Sequence, residues 1–162
     1  MSDYSSDGNV RVDYVATIAA PTAPDLSSEL SSTTPLSTKL TPDGWSPASE
    51  QAEVPTTSLA STFRTSVPGT RGGAIELTLK RDDTPASDTV YNLFKTGPSG
   101  YLVSREAQGG ASAAYAAGQI VTVIPGKAGK PRMDPTAENT PRTYKVTWFP
   151  SAEPSEDVTV VA

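Results

Sequence analysis

The sequence predicts a mainly β domain with one short α-helix and long loops or arms. Three observations carry that expectation. Several segments alternate apolar and polar residues with period two, as half-buried strands do. Only one segment, Asp82 to Pro98, has the start and stop signals of a helix. The 162 residues include 15 Pro, 12 Gly, 19 Ser and 21 Thr, so turns are frequent.

Taken in order, residues 1–8 read as a polar N-terminal arm. From Val10 the phase is clean: Val10, Val12, Tyr14, Ala16 and Ile18 oppose Arg11, Asp13 and Thr17. That predicts a strand with one buried face. Residues 20–35 are irregular around Pro21, Pro24 and Pro35, with a short strand expected at Leu36–Leu40. Pro42-Asp43-Gly44 marks a turn, because Pro presets φ and Gly tolerates positive φ. Residues 46–56 are polar, carry Glu50 and Glu53, lack periodicity and read as a long mobile loop.

Further strands are predicted at Thr57–Ser66, Ala74–Lys80, Tyr101–Arg105, Gly118–Ile124, Thr143–Phe149 and Asp157–Val161. In Ala74–Lys80, Ile75, Leu77 and Leu79 point one way and Glu76, Thr78 and Lys80 the other. Ile120, Val121, Val123 and Ile124 are apolar in both phases, which predicts cover on both faces. Tyr144, Val146 and Trp148 alternate against Thr143, Lys145 and Thr147. Ala107–Ala117 reads as a flexible loop holding no more than a helical turn, and 125–142 as a second long loop.

The helix is expected over 84–96. Thr84 is placed as N-cap and Pro85 at the first helical position, with Asp88 early and Lys95 late to suit the dipole. Gly97 offers a left-handed end and Pro98 blocks continuation. Val90, Leu93 and Phe94 fall at i, i+3 and i+4 and form the expected packing face.

Composition excludes much chemistry. The chain contains no Cys and no His, which removes disulfide scaffolds, thiol catalysis, Cys- or His-ligated metals and His-based triads. No run approaches the ~18 apolar residues of a membrane span. The opening residues lack the basic-then-apolar order of a signal peptide, so folding in a cytosol and no membrane insertion are expected. A net charge of −5 opposes binding nucleic acid by neutralisation but not lining a channel through which it slides. Leu, Ile, Val and Phe make up only about 18% of the chain, below the usual share for a self-sufficient core. Some apolar burial is therefore expected between subunits.

No residue is assigned as catalytic or metal-binding, and no cofactor is expected. Asp82, Asp83, Glu50 and Glu53 sit in cap or loop contexts and read as solvated acids rather than a glycosidase pair. Asp43-Gly44 lacks the surrounding ligands of a calcium loop. Lys127, Lys130 and Arg132 form a basic cluster, read either as a solvated tip or as an inter-subunit latch to acids such as Glu50 and Glu53. Trp45 reads as a packing anchor, on its own chain or on a partner.

Several stretches carry a resemblance: Leu-Thr-Pro-Asp-Gly-Trp at 40–45, Ala-Ile-Glu-Leu-Thr-Leu-Lys-Arg at 74–81, the Asp82–Phe94 segment, Gly-Tyr-Leu-Val-Ser-Arg at 100–105, Ala-Ala-Gly-Gln-Ile-Val-Thr-Val at 116–123 and Arg-Thr-Tyr-Lys-Val-Thr-Trp-Phe at 142–149. In this order the chain resembles the major tail tube proteins of long-tailed, siphovirus-type bacteriophages, especially those of actinobacterial hosts. The resemblance covers roughly residues 8–162.

It implies a single tail-tube-type domain over 1–162, a β-sandwich or barrel flanked by the helix, without an appended Ig-like domain. Hexameric rings would stack into a virion tail tube, assembled in the host cytoplasm, through which double-stranded DNA passes on ejection. Implied partners are a tape-measure protein and tail terminator and tip proteins. By position, 41–57, with Asp43, Trp45, Glu50 and Glu53, looks like the extended ring-stacking loop. Other components of the same fold family (a tail terminator, a connector or a contractile-system tube) are the nearest alternative. A β-sandwich adhesion or carbohydrate-binding module is a more distant one.

Overall fold

The computed structural model describes residues 3–47 and 49–162. Met1 and Ser2 of the expected arm, and position 48 within the expected 41–57 loop, lie outside the described residues. The strands are β1 (Val10–Val15), β2 (Thr34–Pro35), β3 (Leu40–Trp45), β4 (Glu50–Pro55), β5 (Ser66–Gly72), β6 (Ile75–Lys80), β7 (Ser99–Glu106), β8 (Ile120–Ala128), β9 (Arg132–Met133), β10 (Thr143–Pro150) and β11 (Ser155–Thr159). A helix, α1 (Thr89–Lys95), links β6 to β7. The chain is thus mainly β with one short helix, as the patterning predicts.

Nine strands make one antiparallel sheet in the order β2-β1-β7-β8-β10-β6-β3, with β11 beside β8 and β9 beside β10. Strands β4 and β5 pair only with each other. Flat, β1 and β10 would lie three strand spacings apart, roughly 14 Å. Yet the Tyr14 and Trp148 rings meet edge-to-face at 6.3 Å. The sheet therefore curls over on itself.

The concave side holds the main core. Leu77, Leu79, Val146 and Trp148 from β6 and β10 meet Val12, Leu102 and Ile124 from β1, β7 and β8. Helix α1 closes this core with Val90 and Phe94, both buried, while Leu93 is only half-buried. Gly126 permits the curl, because a Cβ there would come within 2.5 Å of the Phe149 carbonyl and of Trp148 Nε1.

The convex side of β1, β7 and β8 carries a second cluster. Val15, Val103, Val121 and Val123 pack there against Ile18, Leu30, Tyr115 and Val160. Strand β1 therefore buries both faces, where its alternation predicts one. The polar phase is covered because Asp13 holds Thr33 and Arg11 over it. Strand β8 is covered on both sides at Val121, Val123 and Ile124, as its apolar run predicts, but Ile120 at its start is 46% exposed.

Other segments also correct the sequence reading. Helix α1 starts at Thr89, not at 84. Thr84 Oγ1 hydrogen-bonds Asp83 instead of capping, residues 84–87 form a turn, and Asp88 precedes the helix. The end is as expected: Gly97 adopts φ +65° and its N–H bonds the Phe94 carbonyl at 2.9 Å. Leu36–Leu40 is a tight turn that buries Leu36, not a strand. The expected 125–142 loop is strand as far as Ala128 and again at β9. Pro125, lacking an N–H, stands where the β8 partner changes from β11 to β10.

Candidate functional site

The segment expected as a mobile loop is an ordered projection. Strands β4 and β5 form a hairpin arm from Glu50↔Gly72 to Pro55↔Ser66. All of β4, and all but one residue of β5, is exposed. At about 3.3 Å per residue, the six residues of β4 carry the tip roughly 20 Å from the base. Thr56 and Thr65 lock the far end: Thr56 N–H donates to the Thr65 carbonyl at 2.9 Å, and Thr65 N–H to Thr57 Oγ1 at 2.8 Å. Residues 57–65, predicted as a strand, form the tip, where Ser61 N–H bonds the Ser58 carbonyl. Hydroxyls there bond the neighbouring backbone and compete with a ladder.

The arm exposes apolar groups. Leu59 is 107% and Phe63 75% exposed, and Val54 and Val67 face each other across the pair, each about half exposed. A bare Phe and Leu on one projecting tip make an uncovered apolar surface. The sequence signal was present, two large apolar residues in a Ser/Thr run. Sequence reading missed it by treating them as strand interior.

The predicted site residues separate into different places. Glu50 and Glu53 lie on the arm, exposed, at its base and midway. Asp43 and Trp45 do not. They belong to β3, in the sheet beside β6. Leu40 faces Leu79 and Trp45 faces Leu77, so five steps along β3 span two along β6. Pro42-Asp43-Gly44, expected as a turn, is instead a bulge within β3 where Gly44 lets the chain approach the Thr78 carbonyl; it leaves Asp43 exposed, while Trp45 packs half-buried against the main core. The 41–57 segment is thus an edge strand followed by half of an arm, not one loop.

Lys127 lies on β8 and is exposed, Lys130 follows β8, and Arg132 opens β9. Arg132 reaches Glu76 at 3.5 Å, and Lys145 takes the other oxygen of that carboxylate at 2.9 Å. Among the described residues no ion pair joins this basic group to Glu50 or Glu53.

A buried polar node anchors the other end of the fold. Arg105 is 1% exposed, and its guanidinium donates to the carbonyls of Gly110, Ala113 and Ala114 and to Gln119 Oε1 at 2.6–2.9 Å. Arg11 donates to Asp13 at 2.8 Å and to the Ala113 carbonyl. Tyr115 lies within 4.6 Å of Arg11 and 5.2 Å of Arg105. Burial lowers the Arg105 pKa and raises that of the Tyr115 phenol. The Ala-rich 107–117 segment is irregular but held in place by this node.

Among the described residues no group of three or more potential ligands could hold a metal, and no helix is long and apolar enough to cross a membrane. What the molecule offers is surface: the arm, and the outer edges of β3 and β11.

A family model described as phage tail tube protein matches residues 1–162. No curated protein matches. A solved structure described as the tail of an empty GTA particle, computed with helical refinement in C6 symmetry, has the same fold. Its TM-score is 0.53 at 12% identity, covering 97% of this chain and all of that one.

Proposed function

This chain belongs to the phage tail tube protein family, and from that premise we propose that six copies close into a ring, that rings stack into the tail tube, and that the tube conducts DNA during ejection. The chain is a structural component of a phage tail, not an enzyme. The β4–β5 arm carries the stacking part of the proposal. It projects from the sheet, pairs only with itself, and ends in uncovered Phe63 and Leu59. A ring fits the free sheet edges, because joining β3 and β11 edges between neighbours satisfies backbone groups that would otherwise invite aggregation. Six subunits fit the C6 symmetry of the similar structure.

In this reading the tube assembles in the host cytoplasm around a tape-measure protein, between tip and terminator proteins. The DNA slides through without specific contacts, and the net negative subunit disfavours phosphate adhesion. Exposed Lys127 and Lys130 are candidates to latch onto Glu50 and Glu53 of a neighbour.

The test is negative-stain microscopy of the concentrated protein beside a variant whose residues 50–72 are replaced by a short Gly-Ser link. The native chain forms long tubes of stacked rings. The variant stays folded by near-ultraviolet circular dichroism and stops at single rings or monomers. Native protein that remains monomeric even with tail-tip nucleators overturns the reading. Native protein that stops at one ring makes it a terminator instead. Tubes from the armless variant overturn the stacking role.

A further inference from the structure

A cleft of about 510 Å³ opens where the arm joins the body. Ile75, Pro47, Pro150 and Pro154 wall it with apolar surface. Arg71, Glu153 and Glu156 stand at its rim. One guanidinium there faces two carboxylates, each at a loose 3.8 Å, so the rim keeps a net negative charge. Both acids are more than half exposed. At the far end of the arm the surface is the converse: bare Leu59 and Phe63, then exposed Arg64.

We propose that the arm tip of one copy seats in this cleft on the next copy along the tube. Phe63 and Leu59 meet the apolar walls, and Arg64 meets Glu153 and Glu156. The proposal rests on the stacking reading above and adds the receiving surface. Three observations select a second copy as occupant. The tip and cleft are both apolar and carry opposite charge, Arg64 on one and Glu153 and Glu156 on the other. The paired strands hold each tip roughly 20 Å from its own cleft, so a chain cannot fill itself. A rod whose tip fits its own base on another copy repeats by translation along the rod, which is the operation of stacking. The cleft volume also lies within the roughly 300–1,000 Å³ that encloses a ligand-sized group.

The chain has no cysteine, so an introduced pair reports one contact. Thr62→Cys with Ala152→Cys, assembled into tubes and oxidised, gives a ladder of cross-linked oligomers on a non-reducing gel. Each single variant gives none beyond a dimer, since a disulfide requires Cα atoms within about 7 Å. As a second measurement, Arg64→Glu raises the concentration needed for tubes at least ~10-fold, and combining it with Glu153→Arg and Glu156→Arg restores it to within ~3-fold. Tubes that form without a ladder, or an Arg64→Glu defect that the swap leaves unrepaired, overturn the seat and leave stacking intact. Failure of native tubes overturns the stacking reading itself.

Discussion

Phe63→Ser separates the two tasks of this sequence, folding and assembly. Phe63 is 75% exposed and is absent from both core clusters, so folding gains almost nothing from it. Fully burying a Phe stabilises by about 1.5–3 kcal/mol, so covering the exposed three quarters on a neighbour contributes about 1–2 kcal/mol per contact. Six such contacts join two rings of the proposed symmetry. Together they amount to about 6–12 kcal/mol per ring junction before ordering costs. Each subunit that joins the tube forms one such contact, so at 1.4 kcal/mol per tenfold its loss raises the tube-forming subunit concentration about 5- to 30-fold. The assay is pelleting of tubes against total protein, with thermal unfolding of the dilute subunit alongside. The subunit should melt within about 1–2 °C of native, since an exposed substitution of this kind shifts stability by no more than ~0.5 kcal/mol. An unchanged pelleting threshold would refute the assignment of the tip as a contact, and a large drop in subunit melting would show that Phe63 belongs to the core.

Two further outcomes concern the body. Arg105→Met keeps bulk but removes four hydrogen bonds from a charged donor, a loss of about 2–4 kcal/mol. That is about 4–16 °C in Tm, with hydrogen exchange of residues 107–117 rising most, and Arg105→Lys recovers only part because its point charge lacks the planar fork. An alkaline transition is also expected. Burial raises the Tyr14, Tyr115 and Tyr144 phenols above their usual 10.0, so they stay neutral in the fold while the unfolded chain ionises. Their contribution is complete below about pH 10 and is lost as pH rises through the higher folded values. Phenolate absorbance should show these groups ionising only as the protein unfolds; early ionisation of all six tyrosines would contradict the burial.

Local pattern made the strands of the concave core legible. Ile75, Leu77 and Leu79, and Tyr144, Val146 and Trp148, alternate because one face is packed and the other is wet. Gly97 and Pro98 marked the helix end because that end depends on backbone geometry alone. The helix start was not legible, since the choice between Thr84 and Asp88 depends on where their side chains bond. Asp88 pairs with Arg81, whose guanidinium also lies 3.7 Å from the Tyr91 ring, and no spacing rule reveals that. The β4 side of the arm reads as loop because β4 has no buried face. Period two reports burial, and a strand exposed on both sides gives no period. Arg105 went unnoticed for a related reason: its partners are main-chain carbonyls, which every sequence has.

The arm and the cleft at its base give each subunit a direction. A stack joined tip to base has two unlike ends, one ring showing free tips and the other showing empty clefts. Such a polymer grows differently at its two ends, and a molecule that offers the cleft without the tip, or the tip without the cleft, is enough to start it or stop it.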